Sequence, residues 1–196
     1  MSGLIEPLCY HDGMATAKTG SFYLTETVTL AANAVNGSRA TGTLDLSAYV
    51  NVPTGQAIAI DQVDFLWQQA PDYGVSAGSL MAGNGALGSQ LTDLNPGTAF
   101  VRADNQSLVA SGALIIDKAN NVASHSTDMF PDNFGPSGLS DMFIVVNDQL
   151  YFTVGNDGGA VGTADIYGTA RIRARVVKLS TKDWMAVAIQ STAADN

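Results

Sequence analysis

Arg171, Arg173 and Arg175 alternate with Ile172 and Ala174 near the C-terminal end of a 196-residue sequence. On an extended chain, alternate side chains share a face at a spacing of about 6.5–7 Å. The three guanidinium groups therefore form one row. Such a row repels itself unless it meets carboxylates, phosphate oxygens or water. Three chemistries follow: a solvated stripe opposite cross-strand Asp residues, an ion-paired seam with another subunit, or contact with the phosphates of nucleic acid or lipid headgroups. Five of the nine basic residues, Arg171, Arg173, Arg175, Lys178 and Lys182, fall within this stretch.

Other reactive residue types are sparse. His11 and His125 are the only histidines, with no H-x-x-x-H or H-E-x-x-H spacing, and both read as loop residues. His125 near Ser124, Ser126 and Asp128 imitates parts of a catalytic triad, but no G-x-S-x-G elbow accompanies it. The single cysteine, Cys9, excludes an intrachain disulfide and reads as an inert thiol. Gly83-Asn84-Gly85-Ala86-Leu87-Gly88 fits G-x-G-x-x-G, yet a turn at Asn95-Pro96 follows instead of a long helix. It reads as a glycine-rich surface loop and not as a dinucleotide site. Asp128, Asp132 and Asn133 in one stretch, and Asn156 and Asp157 in another, are oxygen donors of the kind that suits Ca²⁺. No EF-hand loop is present, and turn formation is the simpler use of Asp and Asn. No cofactor or metal is expected, and no enzyme activity.

Composition narrows the class. Eighteen acidic residues against nine basic ones give a net charge of −9, so the overall field does not favour nucleic acid. Charged residues are only 14% of the chain, which excludes a disordered polyampholyte or a coiled coil. The start, Met-Ser-Gly-Leu-Ile-Glu-Pro, lacks the basic and apolar regions of a secretory signal. The longest apolar runs are about five residues, as at Met185–Ile189, against the roughly 20 that a membrane span needs. Synthesis in a cytoplasm is expected. Asn36-Gly37-Ser38 and Asn105-Gln106-Ser107 match the glycosylation sequon but read as turns.

The elements that must carry the Arg row are strands. Glu is almost absent, while Asp and twenty glycines punctuate short runs of Val, Ile, Thr, Tyr and Phe. Strands are expected at 21–31, 39–48, 56–67, 98–102, 107–117, 141–146, 149–154 and 164–179, with a weaker one at 79–82. In the run 56–67 the apolar parity changes, which predicts a bulge or a crossing between sheets. Ser180-Thr181-Lys182-Asp183 resembles a capping box and predicts a short C-terminal helix, with Trp184, Met185, Ala188 and Ile189 on one face. A final strand is the alternative there. The stretches 68–95 and 118–140 show little periodicity. Residues 1–20 read as an arm and 21–196 as one domain: an all-β, antiparallel sandwich of about eight strands.

This pattern, with a long connection before the last strands at Asp141–Val154 and Ala164–Leu179, resembles the single jelly roll of icosahedral virus capsid proteins. The resemblance implies a self-assembling structural protein of a virion. Its partners would be copies of itself and other capsid proteins, with the Arg row reaching a genome or an internal membrane. The family's Arg/Lys-rich arm is missing, since Lys18 is the only basic residue in the first 38. That departure favours a shell around a membrane or separately condensed DNA. The competing reading is a β-sandwich carbohydrate-binding module, with Trp67, Tyr73 and Trp184 as stacking faces.

Overall fold

The computed structural model describes residues 15–74, 76–127 and 142–192. Ten strands in this part of the chain form two antiparallel sheets. They are β1 (Ala15–Ala17), β2 (Phe22–Leu30), β3 (Arg39–Asp45), β4 (Gln56–Gln69), β5 (Gly85–Thr92), β6 (Leu108–Asp117), β7 (Val122–Thr127), β8 (Phe143–Val145), β9 (Gln149–Asp157) and β10 (Ile166–Leu179). The first sheet runs β2-β10-β4-β8, with β1 continuing the β2 edge along β10. The second runs β3-β9-β5-β6-β7. Strands β2 to β5 thus alternate one by one between the sheets, β6 stays beside β5, and β8, β9 and β10 alternate back beside them. That is the double Greek key of a jelly roll, with β1 and β7 added.

The core is what period-two alternation dictates. Ala170, Ile172 and Ala174 of β10 are fully buried between the sheets, facing Leu87, Leu91, Phe152 and Val154 of the other layer. Phe65 stacks on Phe152 at 5.7 Å across the gap. The Thr row of β2 (Thr25, Thr27, Thr29) points outward and is exposed. The parity change in β4 is a bulge: register slips by one between Arg173 and Ala174, leaving Asp61 as the extra residue.

A second, smaller cluster lies outside the first sheet. Ala57, Ala59, Val146, Val177 and Leu179 are covered by α2 (Thr181–Thr192) through Trp184, Val187 and Ala188. The Ser180 hydroxyl accepts from the Asp183 amide at 3.2 Å and donates to its carboxylate at 2.6 Å, so the expected cap forms and the helix is the outcome. Its buried face differs from the expected one: Met185 and Ile189 stay 55% and 63% exposed. Trp184 and Ala188 pack inward as expected, with Val187 beside them in place of Met185 and Ile189.

Several expected elements are corrected. Residues 98–102 are not a strand, because the Gln90 side chain takes the role of a neighbouring strand, donating to the Val101 carbonyl at 2.9 Å and accepting from its amide at 2.8 Å. The weak strand at 79–82 is the short helix α1 (Ala77–Leu80). The two patternless stretches contain β5 and β7. Four of the six residues of the glycine-rich motif, Gly85 to Gly88, lie inside β5 and not in a surface loop. Cβ atoms there would meet Asp157 backbone and the Phe100 ring, so close approach explains the glycines. Residues 1–14, with Cys9 and His11, and 128–141, with Asp128, Asp132 and Asn133, lie outside the described residues.

Candidate interaction surface

Both sheets have an outer face, and the chain covers them unequally. Over the second sheet, Phe100 in the 93–107 loop packs on Gly88, and the Arg39 guanidinium lies 4.2 Å from the Phe100 ring. Arg39 also donates to both Asp157 carboxylate oxygens at 2.8 Å and to the Ser38 and Asn156 carbonyls at 3.0 Å. Gly155 leaves the space across which this side chain runs. Its side chain is only 16% exposed. A bidentate, stacked Arg of this kind holds two strand ends and a loop together. Sequence reading passed over it; the signal was a glycine in each of two strands, Gly88 and Gly155, where a bulky side chain from elsewhere must pass.

Over the first sheet, α2 shields only the end near Leu179. The remainder is open, and the Arg row runs along its middle strand. Register places Arg171 between Thr25 and Asp64, and Arg173 between Tyr23 and Gln62. The three arginines do share one face, but their surroundings differ. Arg175 reaches the bulged Asp61, with Nη2 and Nε at 2.9 and 3.2 Å from one carboxylate oxygen. Asp61 also accepts from the Ser21 hydroxyl at 3.3 Å, and its side chain is 10% exposed. The bulge is what turns this carboxylate toward the row. Arg171 leans instead over the Tyr23 ring at 5.2 Å, a cation–π contact. Asp64, opposite it, accepts from Gln62 at 2.9 Å. Arg173 forms no ion pair with any described residue. Toward the other end the face becomes Thr27, Thr169, Leu66, Gln68 and a Tyr73–Tyr167 contact at 5.8 Å. The surface is mostly polar, with Tyr23, Leu66 and Tyr73 exposed on it.

The other candidates fall elsewhere. Asn156 is fully buried and its amide donates to Val35 and Gly159 carbonyls at 3.0 and 2.7 Å, while Asp157 is held by Arg39. Both therefore stitch loops, Asn156 through its amide nitrogen and Asp157 through Arg39, while the Asn156 Oδ1 is buried without a hydrogen-bond partner. No group of three His, Cys, Asp or Glu side chains suited to a metal occurs among the described residues. His125 is exposed on β7, opposite Leu114, and not in a loop. A shallow hollow of about 100 Å³ is lined by Ile116, Asp117, Lys118, Asn121 and Val122. Small-molecule sites usually offer about 300–1,000 Å³. Trp67 is 6% exposed and packs on Gly168 in the core, and Trp184 is held under α2. No helix among the described residues is long and apolar enough to cross a membrane.

Two carboxylates away from this face titrate low. Asp45 accepts from the Ser47 amide, and Asp117 from the Asn120 side chain and the neighbouring amides; these bonds favour the charged form and lower both pKa values. Glu26 moves the other way. It points inward from β2 against Gly42 of β3, and burial raises its carboxyl.

No protein-family model and no curated protein sequence matches the chain. Among solved structures, it is similar to Merkel cell polyomavirus VP1 in complex with GD1a oligosaccharide, at 12% identity and a TM-score of 0.39. That match covers 82% of this chain and 98% of the other. It is also similar to Trichodysplasia spinulosa-associated polyomavirus VP1 in complex with sialylated precision glycooligomers, at 8% identity and a TM-score of 0.40. There the coverage is 83% of this chain and 97% of the other.

Proposed function

We propose that the chain is a structural subunit that assembles with copies of itself into a closed shell, an icosahedral viral capsid, and that it acts in the virion without catalysis. The observation that carries this reading is the open Arg face. The 93–107 loop covers only part of the second sheet's outer face, and the first sheet keeps a mostly polar surface on which Arg173 forms no ion pair with any described residue, on a chain of net charge −9. Another copy carries an excess of carboxylates over basic groups, so a sister subunit offers complementary partners. The jelly roll itself hosts both capsid and lectin functions and so does not choose between them.

The carbohydrate module has less support: such a site stacks sugars on exposed aromatic faces, and of its three candidates both tryptophans are withdrawn into apolar clusters while Tyr73 is exposed. Exposed apolar side chains are instead dispersed: Val35 in the loop after β2, Val52 at the opposite end, Ile115 and Val122 on a flank, Met185 and Ile189 on α2. A subunit with neighbours on several sides uses that distribution better than one with a single ligand.

Light scattering and negative-stain imaging test the reading. Large closed particles are the expected result, and a strict monomer at high concentration under varied salt and pH overturns it. Arg173→Glu should suppress particle formation while moving the Tm of the monomer by less than about 2 °C, as for a surface substitution. Unchanged assembly would remove the Arg row from the contact.

A further inference from the structure

A sandwich of two open sheets has four edges, and each is a template for another strand unless something blocks it. Here three are blocked. On one side of the sandwich, the β2 edge is interrupted between β1 and β2, where residues 19–21 break the backbone pairing with β10. The β3 edge lies over it, and the inward carboxylate of Glu26 sits between them against Gly42. An inward charge of this kind is a known guard of sheet edges. On the other side, β8 is only three residues long.

Among the described residues, the fourth edge, β7, carries none of these devices. Its sequence Val-Ala-Ser-His-Ser-Thr has no Asp, Glu, Lys, Arg or Pro, and it pairs with β6 without a bulge. Residues 122–125 are exposed on both faces of the sheet. Beside it, the outer face of the β6–β7 hairpin leaves Ile115 and Val122 46% and 54% exposed. Register puts these two on the same face, on adjacent strands.

We infer that β7 pairs antiparallel with β7 of a second copy across a twofold axis, joining the two five-stranded sheets into one. Antiparallel pairing of a strand with itself is the isologous contact that a twofold generates. The occupant follows from charge. Two chains of net charge −9 repel, and an uncharged segment lets their backbones approach without bringing carboxylates together. Small side chains at Ala123 and Ser124 leave both sheet faces flat across the junction. The twofold brings the Ile115–Val122 pairs of both copies onto one face, where each extends the other's apolar surface. A six-residue pairing falls short of the about 800 Å² per partner of a standard stable complex. The contact is therefore weak alone and strong when repeated, as lattice contacts are. This deepens the self-assembly reading, and it uses a surface separate from the Arg row.

Cysteine crosslinking tests it. In a Cys9→Ser background, Ala123→Cys, Ser124→Cys and His125→Cys are each oxidised in the full chain, with Thr43→Cys on the β3 edge as the control. Opposed residues in an antiparallel pair lie close enough for a disulfide. At least one β7 variant should give a covalent dimer in high yield, and the control should not. Ser124→Lys should weaken self-association about tenfold or more, since it sets like charges against each other at the junction. Equal crosslinking at Thr43, or none at β7, overturns the inference. Particles without β7 crosslinks would sink it and leave the shell reading standing; β7 dimers without particles would do the reverse.

Discussion

Two arginines two residues apart carry opposite consequences. Arg175 neutralises Asp61, whose side chain is 10% exposed, so Arg175→Leu strands a nearly buried carboxylate. Its cost should be about 2 kcal/mol, read from urea denaturation midpoints. Arg173→Leu leaves no partner behind and should stay within about 0.5 kcal/mol. Equal losses for the two would mean that the bulge does not pair Asp61 with Arg175. Glu26 gives a pH signature with a definite sign. Burial raises its carboxyl, so the stability tied to its protonated form is present at acidic pH and is lost as pH rises through the folded value. Glu26→Gln should therefore raise the Tm at pH 7 by on the order of 1–2 °C and have no effect near pH 3. A larger benefit at pH 3 would reverse the assignment. Asp45 and Asp117 act in the opposite sense: their hydrogen bonds stabilise the charged forms, and that support fades as pH falls through their lowered values. NMR titration should place both midpoints below the ordinary aspartate range.

At the scale of elements, the helix α2 is a cap-dependent cover. Loss of the Ser180 hydroxyl should cost about 1 kcal/mol. Amide exchange should rise in residues 181–189 while β10 stays protected; exchange spreading evenly through β10 would mean that helix and sheet open as one unit. What the sequence disclosed about elements follows their packing. β2 and β10 show clean alternation because one face of each meets the core and the other meets solvent. The parity change in β4 announced the Asp61 bulge for the same reason. β5 was illegible because it lies between β6 and β9 and under Phe100, so close packing selects Gly85, Gly88 and Ser89 over the β-branched residues that signal a strand. β7 was illegible because both its faces are exposed, which removes alternation altogether. The false strand at 98–102 had strand-like residues, but its backbone partner is a side chain, Gln90, which no local pattern announces. The Arg row was visible as a row. That Arg175 is paired, Arg171 stacked and Arg173 unpaired depends on β2 and β4, which flank β10 from about 140 and 110 residues away.

For the whole molecule, two electrostatic effects oppose each other during assembly. Copies of net charge −9 repel over long range, while a contact at the Arg face attracts over a few ångströms. Salt acts on them unequally. The Debye length falls from about 30 Å at 0.01 M to about 8 Å at 0.15 M. Charges spread over a whole subunit are then largely screened, whereas guanidinium and carboxylate groups in contact are not. Self-association followed by light scattering should accordingly rise between low and physiological salt and fall off only as molar salt reaches the contacts themselves. Arg173→Glu should remove the attractive part, so its association should keep increasing with salt without the decline. A wild-type chain whose association falls steadily from the lowest salt upward would show that attraction between fields of opposite sign, and not screening of like charge, governs the encounter.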